Sequence, residues 1–238
     1  MVFLFRDRSD INLLFLILLS VGLHFHNWIT PPMVIANASD GFLPYLLVNY
    51  ITPLPPLALI ILFQVIILSQ AIRLNILMSK LKMYQQVSYL PGFTYIILTA
   101  LFPYWDVISS GLVANSLVLW ILVKLLRLYD QNQPKSLEFN IGLLLGCSIL
   151  LYEPIAILIP VVIFALAIIR PFRLTEWLVL IMGIVLPFYF IFTYVFLTDS
   201  AAAFTAFLPK LDWENPLAAL DAKSIIALSF MGLQLLIG

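Results

Sequence analysis

With 238 residues, 63% of them hydrophobic and only 10% charged, the chain carries more apolar surface than one soluble core of this size can hide. Its 12 lysines and arginines balance its 12 acids to a formal net charge of +0, and no basic stretch has the footprint of a nucleic-acid binder. A single cysteine, Cys147, excludes an intrachain disulfide, a CxxC motif and a Cys-based metal site.

A mean hydropathy of +1.08 points to lipid as the solvent. The apolar runs are far longer than barrel strands need, so helices must do the crossing. The expected fold is all-α: one integral membrane domain over residues 1–238, built as a polytopic bundle of about eight spans.

In chain order, apolar runs broken by charge or proline give crossings at Ile11–Phe25, Leu54–Met78, Val87–Phe102, Leu112–Leu126, Phe139–Tyr152, Ile155–Ile169 and Trp177–Leu197. An eighth run begins near Ser224 and reaches Gly238. It is short for a crossing, which implies either a helix that stops early or a chain that continues. The first run follows Arg6 and Arg8 like a signal peptide, but the distance from Phe25 to the "ANA" at Ala36–Ala38 is too long for a cleavage region.

Under this segmentation Arg6, Arg8, Arg73, Lys80, Lys82, Lys124, Arg127, Lys135, Arg170 and Arg173 fall on one side, and Lys210 and Lys223 on the other. The positive-inside rule therefore makes the N-terminus cytoplasmic. It also requires a break at "YEP" (Tyr152–Pro154), since one merged helix would put Lys135 and Arg170 on opposite sides. Asp40, Asp106, Glu153 and Asp199 then sit one to each outward turn, with Asp212, Glu214 and Asp221 in the last outer loop. Insertion does not require such a bias of acids.

The first outer loop, Ile29–Pro56, is long, rich in proline, free of lysine and arginine, and holds one carboxylate. Within it "FLPYLLVNYI" (Phe42–Ile51) sets Phe42, Tyr45, Leu46, Asn49 and Tyr50 at helical spacing over a stretch too short to cross. We expect a helix in the outer interface, ended by Pro53, Pro55 and Pro56. Asp40 precedes it, either as the cap of that helix or as a carboxylate held over a lipid-facing cavity.

In the next outer loop "FPYWDVISSG" (Phe102–Gly111) places Asp106 beside Tyr104 and Trp105, aromatics that otherwise form an interfacial belt. Two converging carboxylates, Asp40 and Asp106, could hold Mg²⁺ or Mn²⁺ together with a substrate phosphate. His24 and His26, two apart on a helix, cannot both face one metal, which leaves His26 as a candidate substrate contact. Glu153 either faces a cavity below the headgroups or reaches water at its turn. "NAS" (Asn37–Ser39) matches a glycosylation acceptor by a pattern that chance often supplies, and Arg170 and Arg173 suit anionic headgroups. Nothing matches GxSxG, HExxH, a P-loop or GxGxxG.

Taken together, Asp40 in a long first loop, the helix Phe42–Ile51, Asp106 after the third run, and "FNIGLLLGCSILLYEPIAILIPVVIFALAIIRPF" (Phe139–Phe172) resemble the membrane module of the GT-C glycosyltransferases. The chain is also similar to a group of uncharacterised bacterial inner-membrane proteins. The GT-C resemblance implies transfer of a sugar from a polyprenyl-phosphate donor at the outer face. Asp40 would be catalytic, Asp40 and Asp106 would share a divalent cation, and His26, Tyr45, Tyr104, Trp105 and Glu153 would line the substrate site. The chain departs from the family in lacking paired acids at Asp40 and a DxD at Asp106, and in carrying Glu153 where many members have a basic residue. Its expected partners are membrane lipids, a polyprenyl-phosphate-linked substrate and a membrane protein, with no nucleic acid. Two other classes stay open, a non-catalytic membrane subunit for cell-envelope assembly and a transporter. The spans hold only neutral polar groups such as Gln64, Asn115 and Asn140 apart from Glu153, which disfavours ion-coupled transport.

Overall fold

The computed structural model describes residues 10–36, 40–81, 89–101, 105–129, 134–169 and 173–198, and beyond these only Ser229. The chain divides into two compact units, Met1–Phe207 and Leu208–Gly238. Ser229 apart, the second unit lies outside the described residues, and with it the expected eighth crossing.

Eight α-helices make up most of the described part: α1 Asp10–Leu23, α2 Phe42–Ile51, α3 Pro56–Lys80, α4 Leu90–Leu101, α5 Ser110–Leu128, α6 Lys135–Leu151, α7 Leu158–Ile169 and α8 Leu174–Leu197. Three of them, α3, α5 and α8, are long and apolar enough to cross a membrane, at 25, 19 and 24 residues. At 1.5 Å per residue α3 extends about 37 Å, more than a hydrocarbon core. The chain is a helical membrane protein.

Local chemistry sets the helix ends. Pro56 starts α3 where a missing N–H costs nothing. Ser109 caps α5, its hydroxyl accepting from the Leu112 N–H at 3.2 Å. α6 stops as Tyr152 turns to extended backbone before Pro154, and a 3₁₀ turn, Glu153–Ile157, leads into α7. The break expected at Tyr152–Pro154 is present. The short helix expected at Phe42–Ile51 has those same ends, and its ten residues cannot cross.

One feature departs from an all-α expectation. Val34–Ile35 (β1) pairs in parallel with Ile108–Ser109 (β2), Val34 opposite Ile108 and Ile35 opposite Ser109, extended by Ile108 N–H to the Met33 carbonyl at 2.9 Å. Two residues per strand give no alternation to read in a sequence, and the pairing joins loops far apart in the chain.

Two apolar clusters hold the helices. Leu16, Phe63, Ile67, Ala71 and Ile96 pack α1, α3 and α4 together. Ile121, Leu125 and Leu128 of α5 meet Ile141 and Leu145 of α6, Val162 and Leu166 of α7, and Leu180 of α8. The α6–α8 contact is close because glycines face each other. A Cβ on Gly142 would stand 3.1 Å from the Gly183 Cα, and one on Gly146 3.1 Å from Pro187 Cγ. Gly142 and Gly146 form a GxxxG pair, used here within one chain. A third, smaller cluster of Phe42, Leu150, Ile191 and Val195 anchors α2 on the ends of α6 and α8.

Candidate functional site at the joined loops

The β1–β2 pairing brings the loop after α1 beside the loop after α4, and each of these loops carries one of the two acids expected at the site, each with partners of its own. Asp40 is buried, 7% exposed, and its carboxylate accepts a hydrogen bond from the Ser110 hydroxyl at 2.8 Å. The Asp40 carbonyl accepts from the Glu153 N–H at 2.7 Å, so this residue ties the first loop to the start of α5 and to the turn after α6. The cap of α2 is Gly41, which has no side chain to bond, so Asp40 is not itself the cap residue. Gly41 has φ +150°, and a Cβ there would approach the Leu150 carbonyl carbon to 3.0 Å. Only glycine fits that corner.

Asp106 makes different contacts. The Asn27 amide donates to its Oδ1 at 2.8 Å, and His26 Nε2 pairs with its Oδ2. Asn27 is buried and the His26 side chain 54% exposed. A 3₁₀ turn, Phe25–Trp28, places both residues on one carboxylate. Because a carboxylate accepts, Nε2 carries the proton in the neutral ring, and Nδ1 becomes the basic nitrogen. The two histidines diverge as their spacing requires. His24 is fully buried, donates from Nδ1 to the Ser20 carbonyl at 2.9 Å, and stands edge-on to Phe63 with ring centroids 5.3 Å apart.

Beside the Ser110 partner of Asp40 lies a small, open apolar cleft. Pro44, Val48 and Ile51 form one wall, the i, i+4, i+7 face of α2. Val34, Ile35, Ile108, Val113 and Leu151 complete it, with Ser109 and Ser110 at its polar edge. Ser110 is the partner of Asp40, and Ile108 follows Asp106 by two residues.

Of the other expected site residues, Trp105 is exposed in the Asp106 loop and Glu153 half-buried beside the Asp40 carbonyl. Tyr45 lies on α2 with its side chain outside the described residues, and Tyr104 lies outside them altogether, as do Asp199, Asp212, Glu214 and Asp221. Among the described residues no three His, Cys, Asp or Glu side chains come together as a metal-binding group.

The helices also hold a polar node, of which only Asn115 stood out in the sequence. Gln70 of α3 donates to the Leu112 carbonyl and the Ser116 hydroxyl of α5, both at 2.7 Å, while its Oε1 accepts from the Tyr95 hydroxyl and, at 3.3 Å, from Asn115. These side chains answer one another across α3, α4 and α5, which is how buried polar groups are kept in lipid.

A family model matches residues 57–237, more than half of the chain. The chain belongs to DUF6427, a family of unknown function. The part matched to DUF6427 holds Asp106, Ser110 and Glu153, whereas His26, Asn27, Asp40 and α2 precede it. No curated protein and no solved structure matches the chain.

Proposed function

We propose that this chain is a multi-pass protein of the bacterial inner membrane, with a cytoplasmic N-terminus and α2 in the outer interface, and that it transfers a sugar from a polyprenyl-phosphate donor at the outer face. The observations that carry the proposal are the exposed His26 oriented by Asp106 and an apolar cleft walled by α2 and by the β1–β2 pair, whose second strand begins two residues after Asp106. A polyprenyl chain needs an apolar channel, and a transfer needs a base at its edge.

In this reading the acceptor hydroxyl attacks the anomeric carbon, its proton passes to His26 Nδ1, and the carbon–oxygen bond to the phosphate breaks to release polyprenyl phosphate. Asp106 holds the ring and stabilises the imidazolium formed. The base role expected of Asp40 passes to His26, because the Asp40 carboxylate is buried and engaged with Ser110. Both Asp106 oxygens face donors, Nε2 of His26 and Nδ2 of Asn27, which present a cation with like polarity. No step is therefore routed through the divalent cation expected from the sequence.

The test is turnover by the purified protein in nanodiscs, given polyprenyl-phosphate sugars and a hydroxyl acceptor panel, with release of polyprenyl phosphate as readout. Release by the wild type that His26→Ala and Asp106→Asn abolish supports the proposal. Intact donors throughout would overturn it in favour of the non-catalytic subunit.

A further inference from the structure

The ends of α3 and α5 away from Asp40 carry an arginine that its sequence position disguises. Arg73 counts among the basic residues that set orientation, yet it lies inside α3, seven residues before Lys80. At 1.5 Å per residue that is about 10 Å from the helix end. Its guanidinium stacks on Trp120 of α5, Cζ 4.0 Å from the ring centre. Its Nη1 is buried with no hydrogen-bond partner. A charged donor at that depth is expensive unless an acceptor meets it.

The two helices run parallel, since Gln70 meets Leu112 and Ser116 while Arg73, one turn on, meets Trp120. The face of α3 that holds Arg73 therefore also presents Lys80, seven residues later, near the end of the same groove. On α5 the positions 120, 124 and 127 share one face, so Lys124 and Arg127 follow Trp120 into it. Neither helix contains an acid, and no ion pair engages any of these four cations among the described residues. Trp120 is 43% exposed, so the groove opens sideways rather than into the core.

We propose that this groove binds a phosphate anion, with Arg73 and Trp120 at its floor and Lys80, Lys124 and Arg127 at its mouth. Arginine suits the floor because its planar fork bonds two phosphate oxygens while its face stays on the indole, which a lysine cannot do. Basic pockets between membrane helices take lipid headgroups by the same chemistry. The site is separate from the Asp106 cleft and does not depend on the transferase reading.

Native mass spectrometry of the detergent-solubilised full chain tests it, with phosphatidylglycerol, phosphatidylcholine or inorganic pyrophosphate added. We expect retained phosphatidylglycerol to exceed phosphatidylcholine by about tenfold, as for a charge-assisted, bidentate contact. Arg73→Lys, which keeps the charge and any folding need for it, should remove most of that preference, and Trp120→Leu should reduce it, while Lys135→Gln at the exposed start of α6 should not change it. Displacement of the lipid by pyrophosphate would assign the site to soluble phosphates, and no displacement would assign it to headgroups. A preference that survives both Arg73→Lys and Trp120→Leu, or that Lys135→Gln lowers equally, reports diffuse surface charge and overturns the proposal.

Discussion

The Ser110 hydroxyl reaches the Asp40 carboxylate at 2.8 Å across 70 positions of sequence, in a pair that is buried. Asp40 also receives the Glu153 N–H on its carbonyl, so one residue fastens three connections at one end of the helices. Removing the donor leaves a buried carboxylate short of a partner, which typically costs about 1–3 kcal/mol or more for a charged group. Ser110→Ala should therefore lower the unfolding temperature in detergent clearly. Asp40→Asn, whose amide oxygen still accepts from Ser110, should lower it less. Equal losses would mean that the charge, rather than the hydrogen bond, holds the loops. An Asp40→Asn protein that stays folded but loses turnover would return the base role to Asp40.

For the histidine pair, Asp106→Asn keeps an acceptor but removes the charge that orients and balances the ring. A positioned general base contributes about 10²–10⁴-fold to rate. We expect losses in that range from His26→Ala and from Asp106→Asn, and a double variant little worse than either alone, as for residues acting as one unit. Additive losses, measured as initial rates of polyprenyl phosphate release, would separate the two roles.

Glycines offer a test of the fold with an internal control. Gly41→Ala puts a Cβ against the Leu150 carbonyl at φ +150°, and Gly183→Ala puts one 2.9 Å from the Leu143 nitrogen. Each should destabilise by about 1–3 kcal/mol, the usual range for overpacking. Gly22→Ala in α1 meets nothing within 4 Å and should be neutral or stabilising by up to about 1 kcal/mol. Thermal unfolding of the three variants in one detergent decides it. Destabilisation by Gly22→Ala equal to the others would contradict this account of the packing.

The sidedness of the turn after α6 can be read chemically. In a Cys147→Ser background, a cysteine at Glu153 and one at exposed Ile29 should react with a membrane-impermeant thiol reagent from the same, outer side. A cysteine at exposed Lys80 should react only from the cytoplasm. Labelling at positions 80 and 153 from one face would break the proposed topology.

What the sequence determined by itself was the class of solvent and the approximate position of each described helix, for example Leu174–Leu197 against the expected Trp177–Leu197. Length of apolar run, proline and charge act locally, so Phe42–Ile51 and the break at Tyr152–Pro154 were both legible without coordinates. The divergence of His24 and His26 was expected from a helix, but neither lies on α1: His24 follows its last residue and His26 lies in the 3₁₀ turn Phe25–Trp28. Which acid meets which partner was not legible. Asp40 and Asp106 look alike in sequence, each a lone acid in an outer loop, and only the β1–β2 pairing and the Phe25–Trp28 turn give the first a buried hydroxyl and the second an exposed imidazole. The stacking of Arg73 on Trp120 and the facing glycines of α6 and α8 belong to the same class. Such contacts depend on the relative rotation and depth of two helices, and those are set by packing across the bundle, not by the residues next in the chain.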